Sequence, residues 1–407
     1  MATPPFGRPL LARFPLDPGG VYLNHGTVGV TPNAVMQARV ALLDEIERHP
    51  ARFMLRELAH LRASTSASPA DPGAPSRLRA AATRVGAFLG CAGDALAFVD
   101  NASSGVNAVL RSLALAPGDE IVVTDHAYGG VARAVSFLAA ERGAVVRTVA
   151  WPVPIDDPRR CVESFERALG PRTRLAVLDH VTSETALVLP IAQLAAACRA
   201  QGVAVLVDGA HAPGAIDVDI GALGVDWYVA NLHKWAFAPR SCGVLWAAPE
   251  RRQGLHPSVL SWGVTSGDWL QEFDWTGTRD PSPWLAAPAA LDYMRDALGV
   301  EAMRRHNHAL ACESAAMLAE RWRQPWTTPE SMVGCMVTVA LPERLGAGDA
   351  AAAQRVRDAL LERDGIEVQV LARCGRLWVR IGLQVYNELG DVERLADAVD
   401  AFATGGR

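Results

Sequence analysis

From about residue 77 to 250 the chain alternates short apolar runs with Ala-rich stretches of helical length. The runs are Ala95–Val99, Ile121–Val123, Ala144–Val146, Leu175–Leu178, Val203–Val207, Trp227–Val229 and Gly243–Trp246. A strand that is apolar at successive positions is buried on both faces, and helices between such strands make the sheet mostly parallel. Segments 105–114, 129–142, 159–169 and 191–200 supply those helices. The pattern predicts an α/β fold around a mostly parallel, seven-stranded sheet. A helix-rich stretch from about 286 to 324 follows. Met336–Ala340, Ile366–Val370 and Leu377–Ile381 then read as strands closed by a helix at 391–402, which predicts a smaller α+β C-terminal domain. Residues 63–76, rich in Ser and Pro, read as a loop with no assigned role.

The length of 407 residues is enough for two domains. Hydrophobic residues make up 50% and charged residues 20%, which excludes wholesale disorder. Lys and Arg total 39 against 44 acidic residues, and this negative balance argues against a nucleic-acid partner. Seven scattered cysteines form no CxxC or Cys/His cluster, so neither a disulfide framework nor a metal site is expected, and reduced thiols fit the cytoplasm. The N-terminal prolines interrupt any signal-peptide core, and no apolar run reaches membrane-spanning length.

In open α/β sheets ligands gather at the carboxyl ends of the strands, so the residues just after each run carry the chemistry. Asp100-Asn101-Ala102-Ser103-Ser104-Gly105 starts a helix, where free amides and hydroxyls cradle a phosphate or form a plain N-cap. Asp125-His126-Ala127-Tyr128 offers a base, a ring-stacking platform or a satisfied surface histidine. Asp208 ends an apolar run, where a carboxylate needs a cation, several donors or a metal. Lys234 follows a core strand in Asn231-Leu232-His233-Lys234-Trp235, as a lowered-pKa nucleophile or a lysine reaching solvent. Together they come in the order that pyridoxal phosphate requires: phosphate cradle, stacking group, acid for the ring nitrogen and Schiff-base lysine.

The segments YLNHGTVG (22–29), NASSGVNAVL (101–110), TDHAY (124–128), VDGAH (207–211), NLHKW (231–235), TGT (276–278) and VRIGLQVYN (379–387) carry a resemblance over about residues 20 to 400. They resemble the class V aminotransferase-fold, fold-type I enzymes, most closely the isopenicillin N epimerase-like branch, which also contains C–S lyases. The resemblance implies a PLP-dependent transferase fold, pyridoxal 5'-phosphate as cofactor, and a homodimer with shared active sites acting on a small-molecule amino acid. It implies an N-terminal segment over residues 1–30 covering the active site, a large cofactor-binding domain over 31–283 and a small domain over 284–407.

Carried over residue by residue, Lys234 is the catalytic Schiff-base lysine and Asp208 the partner of the pyridine nitrogen. His126 stacks on the ring, and His211 and Ser183 approach its phenolic oxygen. Ala102, Ser103 and His233 bind the phosphate, with Thr278 reaching it from a neighbouring subunit. Arg380 binds the substrate carboxylate, and Asn24 and His25 lie in the covering segment on the substrate side.

Departures from the wider class matter. Neither Cys335 nor Cys374 has a neighbouring Lys to lower its pKa, so a persulfide-forming desulfurase is disfavoured. No GxGxxG follows an early strand, which disfavours a dinucleotide oxidoreductase. The reaction expected is epimerisation at the α-carbon, with Tyr128 or His25 as a second acid. C–S or β-elimination lyase and aminotransferase chemistry are the alternatives. The substrate side chain is not legible in the sequence.

Overall fold

The computed structural model describes residues 5–59 and 75–403. Of the loop expected at 63–76, only the last two residues fall within them, and Ser76 caps the helix Arg77–Phe88 by accepting from the Arg79 amide at 3.3 Å.

The strands are β1 (Val21–Tyr22), β2 (Leu96–Val99), β3 (Glu120–Thr124), β4 (Val145–Val149), β5 (Thr173–Asp179) and β6 (Ala204–Asp208). They continue with β7 (Trp227–Asn231), β8 (Gly243–Ala247), β9 (Met336–Ala340), β10 (Ile366–Glu367), β11 (Gln369–Arg373) and β12 (Arg376–Gly382). The large sheet has the expected seven strands in the order β2-β8-β7-β6-β5-β3-β4. All neighbours are parallel except the two pairs made by β8. The β7–β8 connection, residues 232–242, carries no crossover helix, so the chain simply reverses.

Burial on both faces explains the continuous apolar runs. Leu178, Val205, Val207 and Tyr228 pack on one side of the sheet, while Val177, Leu206 and Val229 pack on the other. The run at 144–146 differs because it becomes the edge strand β4, where Val145 is 49% exposed. Arg147 on that edge pairs with the buried Glu120 at 3.1 Å.

The C-terminal strands form an antiparallel sheet, β11-β12-β9, under the helices Val300–Trp322, Ala350–Asp364 and Leu389–Ala403. The run Ile366–Val370 splits at Val368, because β10 leaves that sheet to pair in parallel with β1. Val21 and Leu23 therefore join the C-terminal core. After β1 the chain crosses to the large sheet, where a Cβ on Gly29 (φ +70°) would fall 2.2 Å from the His233 carbonyl oxygen. Only glycine allows that approach and that conformation.

Two consequences position the site. The chain runs outward from β3 to β4 and then returns to β5 on the other side of β3, which creates a topological switch point where ligands bind. The N-terminal segment also presses on the loop that carries Lys234. Among the described residues no helix is long and apolar enough to cross a membrane.

Candidate active site

A cavity of about 280 Å³ opens beside the switch point, with Lys234, Asp208, Asp179, His211, Tyr128 and Ser103 on its wall. Lys234 follows β7 in a loop that turns back at once, held by the Leu232 amide donating to the Cys242 carbonyl at 2.9 Å. Burial is the main reason that its amine titrates down at about 7; Arg380 adds to the effect and Asp208 opposes it. Its Nζ lies 3.0 Å from His211 Nε2. His233, beside it, also reaches the cavity and rests its Nδ1 2.8 Å from the Cys242 carbonyl.

Asp208 ends β6 and accepts the Ala210 amide at 2.9 Å. Its register partner on β5 is Asp179, which the sequence reading passed over. Asp179 also lines the cavity and accepts the Tyr128 amide at 3.2 Å. Burial raises the pKa of both carboxyls, and Asp208 raises that of Asp179 further. The signal was available: Asp179 closes the run Leu175–Leu178 just as Asp208 closes Val203–Val207.

The helix Ala102–Ser112 starts at the cavity edge, capped by Asn101, which accepts the Ser104 amide at 2.9 Å. The Ala102 amide donates to Asn231 Oδ1 at 2.8 Å, so this expected phosphate donor is already engaged. Asn231 thereby ties the helix start to the end of β7. The Ser103 amide and hydroxyl have no partner among the described residues, and Ser103 faces the cavity. Ser103 is therefore the free donor at this helix end.

Arg380 on β12 is 4% exposed and sits just behind the wall. Its Nη1 donates to the Ser183 carbonyl at 2.6 Å, and its Nη2 to Thr27 Oγ1 at 2.6 Å and Asn24 Oδ1 at 3.1 Å. Its Nε is buried without a partner, and it forms no salt bridge among the described residues. Thr27 and Ser183 line the cavity, so the guanidinium is one contact away from it. Asn24 acts on Arg380 rather than on the cavity. Thr27, which the sequence reading did not single out, is the exposed member of this group.

Two expected residues lie elsewhere. His126 is buried away from the cavity, bonded through Nδ1 to Thr185 Oγ1 at 2.7 Å and through Nε2 to the Trp151 carbonyl at 3.3 Å. Burial holds it neutral, with its pKa lowered to about 4. The wall position after β3 belongs to Tyr128, because the turn at the strand end swings residue 126 inward and residue 128 outward. His25 is enclosed between the Tyr386 hydroxyl at 2.8 Å and the Lys234 carbonyl at 3.1 Å, so it braces the loop and does not face the cavity. Thr278 is exposed and borders neither this cavity nor its larger neighbour.

These residues fit pyridoxal phosphate. The cavity presents an amine with a lowered pKa, two buried carboxyls with a single lysine near them, and a free amide and hydroxyl at a helix start. A phosphorylated pyridinium aldehyde meets each of those needs.

Comparison with known proteins agrees. The sequence profile of the family described as aminotransferase class V matches residues 54–395. Isopenicillin N epimerase of Streptomyces clavuligerus is 32% identical over 409 residues, covering 96% of each chain. A probable chloroplastic L-cysteine desulfhydrase of Arabidopsis thaliana is 32% identical over 416 residues, covering 96% of this chain and 84% of that protein. A mutant of C-DES with glycine covalently linked to its PLP cofactor superposes with a TM-score of 0.76 at 21% identity, covering 97% of this chain and 98% of that one. The chain therefore belongs to the class V aminotransferase family, with the fold-type I architecture, and is an enzyme that depends on pyridoxal 5'-phosphate.

Proposed function

We propose that the enzyme removes the α-proton of an amino acid and returns it with inverted configuration, as an epimerase. The observation that carries this reading is Arg380, a buried guanidinium whose direct partners are all neutral oxygens, with the nearby acid Glu184 outside salt-bridge distance. A substrate carboxylate would supply the missing anion through a bidentate contact in place of the Thr27 and Asn24 oxygens. Lys234, held close to neutrality, accepts the α-proton. Bound cofactor supplies an electron sink for the bond that breaks.

Inversion needs an acid besides Lys234. Of the two candidates, Tyr128 supports the reading, since it lines the cavity and its hydroxyl has no partner among the described residues. The similarity to isopenicillin N epimerase over 96% of both chains is consistent with it. The similarity to an L-cysteine desulfhydrase keeps β-elimination as the second reading. Incubating candidate amino acids in D₂O tests the two. Deuterium at Cα with scrambled chirality supports the epimerase; a 2-oxo acid with ammonia and a released side-chain fragment supports the lyase.

We further propose a homodimer that completes the site. Val259, Leu260 and Trp262 are 60%, 59% and 66% exposed, an apolar strip of the kind that marks an interface. The strip borders a second cavity of about 630 Å³, which shares Asn101 and Ser103 with the first. Thr278 is exposed in the segment that follows. Light scattering on the wild type and Trp262→Asp tests this: the variant is expected as a monomer with weakened cofactor retention. Seven free cysteines support a cytoplasmic setting.

A further inference from the structure

We propose that His211 and Trp235 hold Lys234 as a neutral amine through a fixed order of donors and acceptors, which makes His211 a positioning residue for the reactive lysine. Trp235 Nε1 lies 3.4 Å from His211 Nδ1, and His211 Nε2 lies 3.0 Å from Lys234 Nζ. An indole N–H only donates, so Nδ1 has to be bare. A neutral imidazole with a bare Nδ1 carries its proton on Nε2. That N–H points at Nζ and requires a lone pair there. An amine has one; an ammonium has none. The reverse order would set the indole N–H against an imidazole N–H.

Packing keeps the chain of contacts in place. Trp235 is fully buried, tilted against His25 with ring centroids 5.0 Å apart. A Cβ on Gly26 would already come within 3.1 Å of its indole. His211 is 3% exposed. The other ionisable groups around Lys234 are Asp208 on β6 with Asp179 beside it on β5, Tyr128 on the cavity wall, Arg380 on β12, His233 in the same loop and His25 behind the carbonyl. Asp208 favours the ammonium, and the His211 N–H opposes it.

The neutral form matters twice. Its lone pair forms the C–N bond to an aldehyde, whose oxygen leaves as water, and the same lone pair takes up a substrate proton. Once Nζ is protonated, two N–H donors face each other, so the proton is passed on instead of retained.

The test strips the cofactor from the full-length protein with hydroxylamine and follows covalent reattachment of pyridoxal phosphate by absorbance over pH about 5 to 10, a range that brackets the lysine titration. His211→Gln supplies an amide oxygen able to accept from an ammonium, so the midpoint of the attachment rate is expected to rise by about one pH unit, roughly a fivefold slower rate at pH about 7. Trp235→Phe removes the donor that fixes the tautomer and is expected to shift the midpoint the same way. A midpoint within about 0.3 unit of wild type in whichever variants fold overturns the proposal. The readout is attachment, not turnover, so it is separate from the choice between epimerase and lyase.

Discussion

Asp179 and Asp208 face each other as register partners at the carboxyl ends of β5 and β6, each 3% exposed. Two adjacent buried carboxyls cannot both ionise cheaply, and burial raises both pKa values. A folded pKa above the unfolded one gives stability at low pH that is lost as pH rises through the folded value. The cofactor-free protein is therefore expected to lose stability as pH climbs above the ordinary Asp value of 3.8. Asp179→Asn keeps an acceptor for the Tyr128 amide and removes one charge. It is expected to stabilise the cofactor-free protein at neutral pH by about 1–3 kcal/mol and to flatten the pH dependence. Thermal melts across pH check this; an unchanged profile in the variant defeats it.

Lys234 is expected to be the residue that carries the cofactor. Borohydride treatment of the yellow holoenzyme should bleach it and leave the label on the peptide containing Lys234. Lys234→Ala should lose the stable adduct and lower turnover by about 10³-fold or more. Lys234 is the only lysine in the chain, so label recovered on the amino terminus, or no covalent label at all, would remove the basis of the mechanism.

Arg380 is expected to act on substrate affinity. Arg380→Lys keeps the charge but loses the planar fork, so KM should rise about 10- to 100-fold with a smaller change in kcat. Thr27→Val, which removes one oxygen now held by the guanidinium, should change KM by only a few-fold. Steady-state kinetics on both variants give the split. An unchanged KM in Arg380→Lys would move the carboxylate site elsewhere.

Tyr128 and His126 are expected to separate chemistry from stability. Tyr128→Phe should preserve deuterium exchange at Cα with retained configuration, while inversion falls about 100-fold or more. His126→Leu leaves the buried Thr185 hydroxyl and Trp151 carbonyl without that partner and should cost about 2–4 kcal/mol of stability. Chiral chromatography and thermal melts distinguish the two outcomes. Equal inversion rates in Tyr128→Phe and wild type would remove the phenol as the second acid.

Much of this was legible in the linear chain. Seven apolar runs gave seven strands, because a strand buried on both faces has to be apolar at successive positions. The residues that end β6 and follow β7, Asp208 and Lys234, meet in one cavity because parallel strands deliver their carboxyl ends to the same edge. That part of the geometry follows from order and polarity alone.

Side-chain direction and partnership were settled only in three dimensions. Position after a strand did not distinguish His126, turned into the core, from Tyr128 on the wall. Nor did it indicate that Asn231 would take the Ala102 amide, that His25 would brace the Lys234 carbonyl, or that β1 would join β10. Each of these last three depends on a partner more than a hundred residues away in the chain. Periodicity specifies which face of an element is buried; the hydrogen-bond partner met on that face is chosen by how the elements pack.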